Sequence, residues 1–201
     1  MKPARDSRRI HISGEAKVLG VLGSPRRGGN SEKLLDKALE GARSSGALCE
    51  KAALGDLAFK GCIECGGCDD TGVCTLADDM TALYKKIEDA DAIIVASPIF
   101  FASLPSQLKA FVDRFQSHWV AKYRLKKTGS GKKKKGVFLC DSGWDKKEFF
   151  ENARYIVKTL FVTLDIEYSG ELYVGGMDKP GAEEKKALAM DKAFELGKSL
   201  V

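Results

Sequence analysis

A chain of 201 residues, 44% hydrophobic and 30% charged, can bury one substantial core and is short for two, so a single globular unit is expected. The formal net charge of +5 is concentrated locally, and the longest apolar patches, such as Ala92 to Ala96, are far too short to cross a bilayer, so a soluble protein without a membrane role is expected. Of the 6 cysteines, Cys62, Cys65, Cys68 and Cys74 crowd into one short segment, which argues against a secreted disulfide framework and for a cytoplasmic setting.

Residues 1–16 carry Arg5, Arg8 and Arg9 but neither the apolar stretch nor the cleavage site of a secretory signal, and they read as a disordered basic tail. Lys17 to Gly23 is a short apolar strand, followed by a Gly-rich turn and by helical periodicity at Leu34, Leu35, Ala38, Leu39 and Ala42. A weaker strand fits Ala47 to Leu54, with Cys49 inside it. A cysteine-rich irregular loop, 60–79, then leads to Asp78 or Asp79, either able to cap a helix whose buried stripe is Met80, Leu83, Tyr84 and Ile87.

Ala92 to Ala96 reads as a fully buried strand ending at Ser97 and Pro98, and Leu104, Leu108, Phe111, Val112 and Phe115 mark the helix after it. Gly136 to Cys140 gives a fourth strand, Lys147 to Thr163 a helix, Ile166 to Val174 a fifth strand and Ala182 to Leu200 a closing helix. Strands that alternate with helices imply right-handed crossovers, and so an α/β fold with a doubly wound five-stranded parallel sheet in three layers. Ligands of such sheets bind beyond the carboxyl ends of the strands, where the winding reverses. The informative residues therefore follow the first, third and fourth strands.

Directly after the first strand come Gly23, Ser24, Pro25, Arg26, Arg27, Gly28, Gly29, Asn30 and Ser31, with the helix starting at Asn30 or Ser31. Ser24, Asn30 and Ser31 carry side-chain donors, Gly29 lets the backbone approach a ligand, and the free amides of the helix start favour an anion. Arg26 adds a charge-assisted contact. The segment matches neither the dinucleotide fingerprint nor the P-loop, and a monophosphate fits it better. The plainer alternative is a Gly-rich turn with Asn30 or Ser31 as a helix cap.

Cys62-x2-Cys65-x2-Cys68-x5-Cys74 sets three thiols at ferredoxin-type spacing, and Gly66, Gly67 and Gly72 permit the tight turns that let four cysteines converge on a 4Fe-4S cluster. Structural zinc draws on two separated cysteine pairs, which this run lacks, and a loop of reduced thiols that merely shapes a pocket is the alternative. Lys126, Lys127 and Lys132 to Lys135 flank Gly129, Ser130 and Gly131 and read as a solvated loop. The run has no interleaved stacking aromatics and no recognition helix, so no nucleic-acid role is expected. The only histidines are His11, in the tail, and His118, near a helix end, and no Ser/His/Asp constellation appears.

Gly-Ser-Pro-Arg-Arg-Gly-Gly-Asn-Ser at 23–31 resembles the FMN phosphate loop of the NAD(P)H-dependent FMN reductase family, which is flavodoxin-like. The resemblance runs on through Asp78, Asp79 and Met80, through Ala90 to Phe101, and through Gln107 to Arg114. It implies a flavodoxin-like FMN-binding domain over 17–201 and places Ser97, Pro98, Ile99, Phe100 and Phe101 against the isoalloxazine, with Asp141, Ser142 and Gly143 beside Trp144 on its other flank. An apolar platform with a few polar contacts suits a flavin ring. The cysteine segment resembles that of iron-sulfur flavoproteins, a branch of the same family with 4Fe-4S beside FMN.

The function implied is an oxidoreductase in which NAD(P)H, drawn in part by the basic run, reduces FMN. Electrons then pass onward, in the branch through the cluster, to a small-molecule acceptor or a redox protein, and no side chain acts as a catalytic acid. The resemblance also implies a homodimer or homotetramer. The rival readings are an FMN-binding electron carrier or redox sensor without NAD(P)H turnover, and a metal-binding interaction module that has lost its flavin.

Overall fold

The computed structural model describes residues 15–127 and 131–201; the expected basic tail, apart from Glu15 and Ala16, and Gly129 and Ser130 of the lysine-rich segment lie outside the described residues. Five strands, β1 (Lys17–Leu22), β2 (Leu48–Ala53), β3 (Ala92–Pro98), β4 (Lys134–Ser142) and β5 (Ile166–Gly175), form one parallel sheet in the order β2-β1-β3-β4-β5. The chain winds from β1 outward to β2, then returns past β1 to β3, so the direction reverses between β1 and β3. This is the doubly wound α/β architecture expected, and the reversal fixes where a ligand belongs.

Both faces of the sheet are covered, so the central strands show no polar alternation: the first six residues of β3 are all buried. Side chains still alternate between the two cores. Leu19, Val21, Ile93, Val95 and Phe138 meet α2 (Met80–Asp89), α3 (Ser106–Asp113) and α5 (Lys147–Thr163) on one face. Val18, Leu22, Ile94, Val137 and Leu139 meet α1 (Asn30–Ser44) and α6 (Glu183–Lys198) on the other. The two helices of the second face touch backbone to backbone, since a Cβ on Gly197 would stand 1.8 Å from the Ala38 carbonyl oxygen and one on Gly41 2.0 Å from that of Phe194.

Several boundaries differ from the sequence reading. β4 begins at Lys134 and ends at Ser142, so Asp141 and Ser142 are strand residues and only Gly143 opens the loop. Lys134 is buried, not part of a solvated loop: its Nζ donates to the carbonyls of Ile87 at 2.6 Å and Glu88 at 2.8 Å, at the C-terminus of α2 where carbonyls lack intrahelical partners. The helix expected from Leu104 to Phe115 is α3, followed by a short α4 (Gln116–Trp119) and a π-helical turn over Val120–Arg124. Among the described residues no helix is long and apolar enough to cross a membrane.

Candidate functional site

The loop after β1 is organised by one buried carboxylate. Glu32 accepts the Gly28 amide at 2.6 Å and pairs with Arg27 and Lys51, each at 2.8 Å; the Lys51 bond chiefly holds it below the usual carboxylate range. Gly28 takes a left-handed φ of 69°, a conformation that favours glycine. Ser24 Oγ accepts the Arg26 amide at 3.2 Å and donates to the Arg26 carbonyl at 3.1 Å, closing the turn.

α1 starts at Asn30, within the expected range, so Gly29 holds the cap position and neither Asn30 nor Ser31 is the cap. Gly29 is extended, and no side chain caps the helix. The first intrahelical bond runs from the Lys33 amide to the Gly29 carbonyl, which leaves the preceding amides without helical partners at the positive end of the helix. The Arg26 guanidinium lies across Gly29, 3.1 Å from where a Cβ would sit.

The two side-chain donors at the helix start face carboxyl groups. Ser31 Oγ donates to Asp141 Oδ1, and Asn30 Nδ2 donates to Asp178 Oδ1 at 3.1 Å. Burial raises the Asp141 carboxyl to about 6; the nearby charge of Asp178 adds to the rise, while the Ser31 bond and Arg26 oppose it. Asp178 also approaches Gly143, with Oδ2 3.3 Å from the position of a Cβ there. The structure thus gathers Ser24, Arg26, Gly29, Asn30, Ser31, Asp141 and Gly143, and binds Asp141 to the first turn of α1.

Beyond β3, Ser97 is fully buried and donates to the Pro98 carbonyl at 2.8 Å, while the Ile99 amide donates to the Asp141 carbonyl at 2.9 Å. Phe100 and Ser103 exchange two backbone bonds of 2.9 Å around a turn formed by Phe101 and Ala102, with φ of 48° and 59°. Left-handed backbone at two successive non-glycine residues is strained, and Asn152 of α5 holds the turn by donating to the Ala102 carbonyl at 2.8 Å. Phe101 is wholly exposed and Phe100 is 46% exposed, so neither packs as core. On the neighbouring strand, Ser142 Oγ accepts the amide of the exposed Trp144 at 3.1 Å, and the Tyr173 hydroxyl donates to the Trp144 carbonyl at 3.1 Å.

The cysteine loop encloses a separate cavity of about 330 Å³, bordered by all four of Cys62, Cys65, Cys68 and Cys74 together with Arg114 and Val120. All four thiols are free, and burial raises that of Cys68. Among the described residues no three His, Cys, Asp or Glu side chains stand together as a single metal ion requires. Arg114 has no exposed side-chain surface: Nη1 donates to Asp78 Oδ2 at 2.5 Å and to the Lys60 carbonyl at 2.9 Å, and Nη2 to Cys74 Sγ and to the Leu76 carbonyl, both at 3.4 Å. Burial is the largest single influence on the Asp78 carboxyl and works to raise it, but the bond and charge of Arg114 together with the Met80 and Lys60 amides outweigh it and hold the group below its usual range. His118, left outside the site on sequence grounds, packs on Tyr84 and Phe115, and burial lowers it to about 4, so it is neutral at pH 7.

Residues 16–141 match the family model described as NADPH-dependent FMN reductase. The chain belongs to this family. Among its curated relatives are an iron-sulfur flavoprotein of Archaeoglobus fulgidus, 41% identical over 98 residues (49% of this chain, 44% of the relative), and one of Methanosarcina thermophila, also 41% identical over 98 residues (49% and 51%). The chain spans about half the length of the curated relatives it matches. Solved structures show the flavodoxin-like fold of the family: an NAD(P)H:quinone oxidoreductase from Methanothermobacter marburgensis (TM-score 0.73, 22% identity, 92% of this chain and 96% of that one) and an azoreductase from Bacillus anthracis (0.66, 16%, 92% and 99%).

Sequence reasoning missed Glu32, Asp178 and the pairing of Arg114 with Asp78. Arg114 left a signal, because it lies three residues from Phe111 on the apolar stripe of Leu108, Phe111 and Phe115, and a charge there needs a buried partner. Asp178 left none, since its partner Asn30 is 148 residues away.

Proposed function

We propose that this chain is an FMN-dependent oxidoreductase that takes electrons from NAD(P)H and passes them on through a 4Fe-4S cluster to a small-molecule or protein acceptor. The observation that carries the reading is the uncapped start of α1, laid open by Gly28 and Gly29 beside Arg26 at the point where the sheet reverses, because this is where a family built around FMN needs an anion site. Ser24, Arg26, Gly29, Asn30 and Ser31 hold the phosphate, with the backbone amides and Arg26 as the principal donors, since Ser31 and Asn30 must turn from Asp141 and Asp178 to reach it.

Ser97, Pro98, Ile99, Phe100 and Phe101, with Asp141, Ser142 and Gly143, frame the ring. The exposed aromatic surface of Phe100 and Phe101 supports a platform that the flavin and a second copy of the chain cover together, in a homodimer or homotetramer. Bound there, FMN supplies two-electron acceptance from a nicotinamide and delivery of electrons onward.

Cys62, Cys65, Cys68 and Cys74 are the cluster ligands. Their thiols surround a cavity instead of meeting at a point, and a buried guanidinium stands in its wall. A cubane takes one thiolate at each of four separated irons and is anionic overall, whereas a bare cation next to Arg114 is repelled, so the donor chemistry favours the cluster. The free thiols agree with a reducing, cytoplasmic setting.

Anaerobic mixing of the FMN-loaded protein with NADPH or NADH tests the activity. Bleaching of the flavin absorbance, followed by repeated turnover when a quinone is added, is the expected result. A flavin that stays oxidised with both nucleotides, yet is reduced by dithionite, refutes NAD(P)H turnover and favours an electron carrier.

A further inference from the structure

We propose that Arg114 is the positioning residue of the cysteine site: it clips the loop shut and, through its bond to Cys74, sets the reduction potential of the cluster. The inference rests on the cluster reading of the four cysteines.

A fully buried guanidinium is costly unless it is paired with an opposite charge and hydrogen-bonded. Nη1 takes Asp78 and the carbonyl of Lys60, at one end of the cysteine loop; Nη2 takes the carbonyl of Leu76, at the other end, and Cys74 Sγ. One planar group therefore ties both ends of the loop and touches a ligand sulfur. Its Nε is buried with no partner, so the group is not exhausted by its bonds within the protein.

Two levers on a cluster's potential are hydrogen bonds to its sulfurs and the net charge around it. Arg114 works both: its Nη2 donates to Cys74 Sγ, and its charge is buried in the cavity wall. Asp78 works against the second lever by pairing with it at 2.5 Å. The other arginine on the cavity, Arg124, is 52% exposed and bonded to Asp69 at 2.9 Å, so solvent and its own carboxylate screen it. A lysine at 114 keeps the charge but lacks the rigid fork that spans Cys74, Leu76, Lys60 and Asp78 at once.

The test is a potentiometric titration, monitored by electron paramagnetic resonance, of protein reconstituted anaerobically with iron and sulfide. Arg114→Lys is expected to lower the midpoint by about 59 mV, a tenfold change in the one-electron reduction equilibrium. Asp78→Asn is expected to raise it, because it frees the buried cation to act on the cluster. Opposite shifts are not produced by a role confined to holding the loop. If both variants load iron and keep the wild-type potential, the inference fails while the cluster reading stands; if wild-type protein takes up no iron, both fail. A measurement that needs no change at Arg114 covers failure of these variants to fold: in protein labelled with 15N-arginine and carrying Arg124→Gln, the reduced cluster is expected to show a 15N hyperfine coupling, and its absence overturns the inference.

Discussion

The hydroxyl of Ser31, in the first turn of α1, donates to the carboxyl of Asp141, the penultimate residue of β4. That bond ties the loop after β1 to β4, two strands away across β3, and it sets a buried acid beside the place where an anion is proposed to bind. Burial raises Asp141 from 3.8 to about 6. A carboxyl whose folded-state value is raised stabilises the fold fully below its unfolded value and loses that contribution as pH climbs through the folded value. The window here is pH 4 to 6. Asp141→Asn keeps the acceptor for Ser31 without the charge, and is expected to add about 2 to 3 kcal/mol of unfolding free energy at pH 7.5 and almost nothing at pH 4, as read by denaturant melts at the two pH values.

Arg26 lies over Gly29 at the mouth of the uncapped helix. Arg26→Ala is expected to weaken FMN binding by about 1.5 to 3 kcal/mol, the worth of a hydrogen bond to a charged group. Riboflavin, which lacks the phosphate, is the control, and its affinity is expected to stay the same. An unaltered FMN titration removes Arg26 from the site.

The turn at Phe101 and Ala102 stores backbone strain, and its second position has the plainest remedy. Ala102→Gly relieves a left-handed conformation and is expected to stabilise the protein by about 1 kcal/mol, seen as a rise in Tm of about 2 to 4 °C for a chain of this size. A fall in Tm means that the turn is not held in this conformation.

Gly197→Ala drives a methyl group into the Ala38 carbonyl, where α1 and α6 meet. The obstacle is backbone, not a flexible side chain, so the helices must separate. Destabilisation by about 1 to 3 kcal/mol is expected in urea unfolding.

Much of the fold is legible in the sequence because its cues are local. The unbroken apolar run at Ala92 to Ala96 marks a strand buried on both faces, and the spacing of Leu34, Leu35, Ala38, Leu39 and Ala42 marks the helix that covers one of them. Lys134 shows where such reading stops. In a run of lysines it looks solvated, yet the carbonyls of Ile87 and Glu88 that draw it inward belong to a helix 46 and 47 residues away. The candidate site divides the same way. The glycines, Arg26 and the cysteines announce themselves by spacing, whereas the carboxyl groups that face Asn30 and Ser31 are brought there only by the folding of the sheet.

The most direct test of the account is titration of flavin-free protein with FMN and with riboflavin, followed by quenching of flavin fluorescence. Saturation at one FMN per chain, with binding about a hundredfold or more tighter than riboflavin, is expected, since the phosphate contributes the charge-assisted bonds at α1. No saturable FMN binding, or equal affinity for the two flavins, would contradict it.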